Sequence, residues 1–333
     1  MVRLKDIAEV CGVSVATVSR ALNGLTDESR ERTAFIRRTA REMGYYPNAA
    51  AKTLKTSRSN NIGILYGDRM NHEYFSSLID DLRQEADRHG YDLTLLGRGK
   101  ASGKNYYEHA LQRNLDGVII LAADFDSPDV IRLAAGSLPA VTIDHPCNGC
   151  DCVISDNRAS MDQIVRYVRG LGHSRIAFIH GQDGAVTRER LSGFYKSCAE
   201  LGIRVPAPWV REGRFHDPGE CAGIIRQLLR EEEKPTCVLC PDDYSCIGAL
   251  WLLKSQGIGV PEEISLVGYD GISMTRMMQP RLTTYRQDTA RIAGEVFRLI
   301  VDAIAAPDTH VLSRITVPGM LVEGETVQRR ETL

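Results

Sequence analysis

Apolar positions recur at two periods along this chain. Beyond residue 60, short runs rich in valine, isoleucine and leucine alternate with longer stretches whose apolar residues return at helical spacing. The short runs predict strands at Asn61–Tyr66, Gly117–Ala122, Ala140–Asp144, Arg175–His180, Thr236–Cys240, Ile264–Tyr269 and Ser313–Val317. The longer stretches predict helices at Phe75–His89, Asn157–Gly170, Arg188–Leu201, Asp217–Leu229, Tyr244–Gln256 and Asp288–Ala305. Strand–helix alternation calls for parallel sheets with helices on both faces, so the body is α/β. The pattern changes over near Val153–Met161, and the length on either side predicts two subdomains of similar make-up.

The start of the chain reads as helix alone. Thr17, Val18 and Ala21 share one helical face, with Ile7, Ala8 and Val10 upstream and Cys11-Gly12-Val13-Ser14 between them. Gly12 permits a tight turn and Ser14 is a good N-cap. Helices are expected at Leu4–Val10 and Val15–Leu22, the arrangement of a helix-turn-helix. A third is expected from Asp27, capped by Thr26, to Met43, stopping at Gly44, with Phe35, Ile36, Ala40 and Met43 as its apolar stripe. A generic three-helix bundle would show the same spacing. The face left over separates the two readings: Val15, Ala16 and Arg20 project away from the stripe, and an arginine there can bond a guanine edge in two places.

Charge strengthens the second reading. The chain carries a net −2, yet residues 1–60 hold 11 Lys+Arg against 6 Asp+Glu, which is +5 and leaves −7 on the body. A basic head on an acidic body points to nucleic acid at one end. Arg30, Arg37, Arg38, Lys52 and Lys55 supply positive charge for phosphates. With 43% apolar and 25% charged residues the chain is neither disordered nor fibrous. No window approaches the ~20 apolar residues of a membrane span. The N-terminus carries no apolar signal segment, so a cytoplasmic location without membrane partners is expected.

The stretch from Tyr45 to Leu54 is more particular. Pro47 ends any preceding helix, Asn48 can cap a new one, and Ala49, Ala50 and Ala51 favour helix. Leu54 is the only large apolar residue before the next strand-like run. The segment is either a linker with helical tendency or a short helix that presses Leu54 between base pairs in the minor groove.

Taken together, Leu4-Lys5-Asp6-Ile7-Ala8, Gly12-Val13-Ser14, Thr17-Val18-Ser19-Arg20 and Asn23, then Gly44-Tyr45-Tyr46-Pro47-Asn48, Ala51 and Leu54, closely resemble the lactose-repressor (LacI) family of bacterial transcription regulators. The resemblance continues more loosely to about residue 327. It implies that Val15, Ala16 and Arg20 read bases, with Ser14, Thr17, Ser19 and Asn23 around them. It implies that Ala50, Ala51 and Leu54 act at the minor groove, Leu54 as the wedge, beside Tyr45, Asn48 and Lys55. Val15 and Ala16 are small and apolar where family members often carry polar or aromatic groups, and they are expected to meet thymine methyls.

The same resemblance implies a helix-turn-helix domain at 1–46, a hinge helix and linker at 47–60, and an effector-binding and dimerisation core at 61–333. That core would be two doubly wound parallel-sheet lobes similar to periplasmic binding proteins of type I, with three crossovers. One lobe would take about 61–160 plus 290–318, the other about 161–289 plus 319–333. A homodimer on a palindromic operator is implied, since the two recognition helices share the operator's two-fold symmetry. The tail after Val327 has no leucine heptads, so no tetramer through a C-terminal bundle is expected. Effector in the cleft would change the angle between lobes and so order or release the hinge helices.

In such sheets ligands bind beyond the carboxyl ends of strands. The residues there are Tyr74 and Phe75, Asp144, Arg190 and Phe215, then Asp242 and Asp270, and all match positions lining the family's effector cleft. Asp242, Asp270 and Arg190 could read hydroxyls, while Phe215, Tyr74 or Phe75 could stack on a sugar or a base. Strand-end aspartates also cap helices, and Asp243 is assigned to that role. The expected effector is a sugar or sugar derivative, with a nucleobase or nucleoside second. A metal or redox input and a protein co-effector are further alternatives.

No nucleophile elbow, HExxH motif or phosphate-binding glycine loop is present, so neither an enzyme nor a cofactor is expected. A sugar-binding protein without a DNA role would share the body but not the head. His72, His180 and His216 lack the spacing of metal ligands. Nine cysteines are an odd number, which fits reduced thiols. Cys147, Cys150 and Cys152 lie within six residues beside His145. They are either a tolerant solvent loop or a soft-metal or redox site. Cys237 and Cys240 also read CxxC but fall in a strand-like run and are expected in the core.

Overall fold

A computed structural model describes residues 2–22, 29–46, 58–67, 72–97 and 105–330. The chain forms two compact units, Met1–Ser59 and Asn60–Leu333.

In the first unit, α1 (Leu4–Cys11) opens with the Asp6 carboxylate accepting the Arg3 amide and closes on Gly12 at φ 63. That left-handed turn suits glycine, which has no Cβ to clash. The Ser14 hydroxyl accepts the Thr17 amide at 3.1 Å and starts α2 (Val15–Leu22). The third helix, α3 (Arg30–Glu42), begins later than Asp27: Ser29 is its cap, accepting from the Arg32 amide. Thr26 and Asp27 lie outside the described residues. Ile7, Ala8, Val18, Ala21, Ile36 and Ala40 form the core. Phe35 and Val10, expected to face inward, are exposed, because their neighbours Ile36 and Ala8 already fill the inward positions. Arg37 donates from Nε to the Ala21 carbonyl at 3.0 Å, so it closes the end of α2 and is not simply a free charge for phosphates.

The second unit holds two six-stranded sheets. The first orders β11 (Arg314–Val317), β5 (Asp151–Ser155), β4 (Ala140–Ile143), β3 (Gly117–Leu121), β1 (Asn61–Tyr66) and β2 (Asp92–Leu95), all parallel. The second orders β12 (Met320–Val322), β10 (Thr283–Arg286), β9 (Ser265–Asp270), β8 (Cys237–Leu239), β6 (Ile176–His180) and β7 (Val210–Glu212), parallel except for β10 against β12. The chain passes between sheets after β5, after β10 and after β11. Helix Thr289–Ala305 returns to the first sheet, where Ile292, Val296, Phe297 and Ile300 join Ile62, Ile64 and Ile119 in one core. Helix Asn157–Gly170 packs on the second, with Met161, Ile164 and Val165 against Phe178 and Phe194.

The expected strands all form, within one or two residues. Five further strands were not expected: β2, β5, β7, β10 and β12. Three are sheet edges. Of the other two, β5 is Asp-Cys-Val-Ile-Ser, a buried run with polar ends, and β10 is Thr-Thr-Tyr-Arg, polar in composition yet with Thr283 and Thr284 fully buried.

Candidate functional site

On the head, Ser14, Val15, Ala16 and Arg20 are exposed along one side of α2, while Val18 and Ala21 are buried beneath them. Thr17, Ser19 and Tyr45 are half-buried at the margin. The Tyr45 amide bonds the Ala40 carbonyl at 2.9 Å, which seats the chain just after α3. Asn23, Asn48, Ala50, Ala51, Leu54 and Lys55 lie outside the described residues.

In the body, a cavity of ≈ 460 Å³ lies beyond the carboxyl ends of both sheets, a size small-molecule sites occupy. Tyr74, Phe75, Asp144, Arg190, Phe215, Asp242 and Asp270 all line it. Most follow a strand end, while Arg190 lies in the second turn of helix Ala185–Glu200. Tyr74 and Phe75 occupy the first turn of helix Glu73–His89 after β1, and Asp144 follows β4. Asp270 is the last residue of β9, at φ 115.

A hydrogen-bond chain joins the two lobes through Gln287, just past β10. Its Oε1 accepts from the Ser155 hydroxyl and, at 3.4 Å, from Tyr74, while its Nε2 donates to Asp270 at 2.8 Å. Asp144 accepts the Ser155 amide at 2.8 Å. Burial pushes the Asp144 carboxyl up, against the pull of that amide and of Arg190. Burial and the neighbouring Asp243 push Asp270 well above the carboxylate range. In both, burial disfavours the charged form relative to an exposed carboxylate.

Arg190 is buried with its guanidinium 3.4 Å from the Tyr269 ring centre. Nε donates to Asn157 at 2.9 Å and Nη1 to the Pro241 carbonyl at 3.0 Å. Its Nη2 has no partner among the described residues. Arg190 is also the only lysine or arginine among the described lining residues, which include Asp124, Asp144, Asp183, Asp242 and Asp270. The Phe215 ring lies over Gly181, where a Cβ would come within 1.9 Å of it, and its amide bonds Gln182.

The cap expected of Asp243 is supplied by Asp242, which lines the cavity as well. Asp242, not Asp243, caps helix Asp243–Ser255, accepting the Ser245 amide at 2.7 Å and the His216 amide at 3.0 Å. Burial pushes Asp242 up, but the bonds from His216 and Ser245 outweigh it and hold the carboxylate low. Asp243 is wholly buried, accepting from Gly271 at 2.7 Å, Ile272 at 3.0 Å and Thr284 at 2.6 Å. It braces the turn that follows Asp270. The reason is register: Asp242 has extended backbone, so its side chain folds back on the helix start, while Asp243 is already helical and faces the sheet.

Strand-end reasoning missed Gln287, because the polar β10 was not recognised. It also missed two ring stacks at the cleft. Phe125 and His145 lie parallel at 3.9 Å, and His72 and His216, from opposite lobes, stack at 3.8 Å. Among the described residues no group of three or more His, Cys, Asp or Glu side chains converges to hold a metal ion. The metal candidate Cys147, Cys150 and Cys152 is corrected accordingly: the first two sit in the turn before β5, while Cys152 is drawn into β5 itself. Cys237 and Cys240 are buried on opposite faces of β8, as residues three apart on a strand must be.

This geometry defines a class: a helix-turn-helix head joined in one chain to a two-lobed α/β ligand-binding body. The comparisons with known proteins agree. Bacterial regulatory proteins of the lacI family match residues 3–48, and a periplasmic binding protein-like domain matches residues 165–327. The HTH-type transcriptional repressor PurR of Pectobacterium carotovorum is 30% identical over 337 residues, 98% of this chain and 97% of that one. The repressor of the same name from Pasteurella multocida is 30% identical over 311 residues, 91% of this chain and 92% of that one. The crystal structure of the lac repressor dimer bound to operator and the anti-inducer ONPF matches with a TM-score of 0.80 at 25% identity, covering 98% and 99% of the two chains. The chain belongs to the LacI family. It is a DNA-binding transcriptional repressor and not an enzyme, in a family whose members bind operator DNA and small-molecule effectors and form dimers. No helix among the described residues is long and apolar enough to cross a membrane.

Proposed function

We propose that this repressor works in the cytoplasm as a homodimer on a palindromic operator, and that a sugar or sugar derivative in the cleft sets its affinity. Residues 1–46 read DNA, 47–60 form the hinge and 61–333 form the sensor. Val15, Ala16 and Arg20 meet base edges, with Ser14, Thr17 and Ser19 around them. The observation that carries the effector reading is the composition of the cavity wall. Several carboxyls face one buried arginine, which disfavours a phosphorylated or otherwise anionic ligand. Asp144, Asp270 and Arg190 Nη2 suit neutral hydroxyls, which both donate and accept. Phe75 and Phe215 offer apolar faces from the two lobes to the C–H face of a ring. The same two rings favour a second reading, a flat nucleobase held between them.

A thermal-shift panel of neutral sugars, sugar phosphates and purine bases tests this, since a ligand of the folded state raises the midpoint. A shift with a neutral sugar, abolished in Arg190→Ala, supports the proposal. A shift with purine bases alone establishes the second reading, and one with sugar phosphates alone refutes the charge argument. Operator titration with the hit then reads whether it releases or tightens DNA binding.

A further inference from the structure

The loop between β4 and β5 has a function at one end only. It leaves the cleft as Asp144 and His145 and ends in the turn Cys147-Asn148-Gly149-Cys150. Gly149 lies at φ 89, the left-handed value that the third residue of a type II turn requires. A β-turn holds its first and fourth Cα atoms under about 7 Å apart, and a disulfide spans about 4.4–6.8 Å. Both cysteines belong to the same apolar cluster as Leu133, Ala134 and Ala140, Cys150 within it and Cys147 at its margin. Cys150 is buried beneath, and Cys147 is half-exposed. Their thiols are close enough to shift each other's ionisation in opposite directions. By contrast, Cys237 and Cys240 share the spacing but are separated by the thickness of a sheet.

We propose that Cys147 and Cys150 are a reversible redox dithiol that closes a disulfide across this turn when it meets a low-molecular-weight disulfide such as oxidised glutathione. The Cys147 thiolate attacks one sulfur of the oxidant, forming a mixed disulfide and expelling one thiolate, which takes up the proton Cys147 lost. Cys150 then gives up its proton and attacks Cys147 Sγ. The mixed bond breaks, the Cys147–Cys150 bond forms, and a second small thiol leaves. Two protein thiols are oxidised and one small disulfide is reduced to two thiols. The order follows from exposure, since only Cys147 can be approached from solvent. It also follows from charge: the neighbouring Cys150 holds the Cys147 thiol down, and Cys147 together with burial pushes Cys150 up. Closing the turn would restrain the segment that carries Asp144 and His145.

The test treats the full chain with oxidised glutathione, blocks remaining thiols with iodoacetamide under denaturation, and maps the peptides by mass. A Cys147–Cys150 disulfide that dithiothreitol reverses is the expected result. Cys150→Ser should then trap glutathione on Cys147, and Cys152→Ser should change nothing. A lasting glutathione adduct on Cys147 with Cys150 still alkylated would overturn the proposal. So would pairing of Cys150 with Cys152, or alkylation of both turn thiols after treatment. The wild-type map decides this by itself should Cys150→Ser fail to fold.

Discussion

Replacing Asp243 by asparagine should make the body more stable at neutral and alkaline pH. The carboxyl is wholly buried, and burial, only partly opposed by the bonds from Thr284, Ile272 and Gly271, lifts it from an ordinary 3.8 to about 7. In the unfolded chain it returns to the ordinary value. Between those values the folded state binds the extra proton, so this group stabilises the fold at low pH and its contribution fades as pH rises through about 7. At about 1.4 kcal/mol per pH unit, the gap amounts to about 4 kcal/mol. Asparagine keeps the shape. Its oxygen can accept from Gly271 and Ile272, and its NH2 can donate to the Thr284 hydroxyl, which then acts as acceptor. Urea unfolding of both proteins between about pH 5 and pH 8 isolates the effect, because other groups titrate alike in each. The advantage of Asp243→Asn should grow by about 2–3 kcal/mol across that window, almost all of it below pH 7. A constant difference, or a variant less stable at the alkaline end, would refute the assignment of a neutral, buried carboxyl.

Gly181→Ala should displace the Phe215 ring, since the new methyl would stand 1.9 Å from it. Calorimetric titration with the effector that the thermal-shift panel identifies should show at least a tenfold weaker affinity, with the unfolding midpoint little changed because Phe215 is only half-buried. Arg20→Ala should lose roughly ten- to a hundredfold in operator affinity, the about 1–3 kcal/mol of a base-reading pair. Binding to random duplex should fall far less in the same gel-shift series, and equal losses would make Arg20 a phosphate contact.

Most central strands announce themselves because they are buried on both faces and are built from β-branched residues. Asn61–Tyr66 and Gly117–Leu121 are of this kind. The central β5, whose Val153-Ile154 core is flanked by Asp151, Cys152 and Ser155, did not announce itself. Edges have only to satisfy half a ladder, so β2 and β7 can be polar and leave little trace. The miss at β10 is of another kind. Thr283 and Thr284 are buried and satisfied by Thr326 and Asp243, partners far away in sequence. Gln287 went unseen with that strand. Cleft residues that follow obvious strands, such as Asp144 and Asp270, were legible from position alone. The division of labour between Asp242 and Asp243 was not, since two adjacent carboxylates differ only in which one precedes the helix. Nor did Phe125 and His145 carry a signal, because they come from different loops.

The triple passage between the sheets has a consequence for how the protein is made. Neither lobe is a continuous piece of chain. The first sheet's core waits for Ile292, Val296, Phe297 and Ile300, and its edge for β11. The second sheet waits for β12. A ribosome that has finished β9 has thus delivered most of the body, yet it has completed neither half, and nascent apolar faces such as those of β1 and β3 stay open until the last tenth or so of translation. The helix-turn-helix, by contrast, draws its core from the first 46 residues. The end that grips DNA can fold early, and the end that regulates it can fold only when synthesis is almost over.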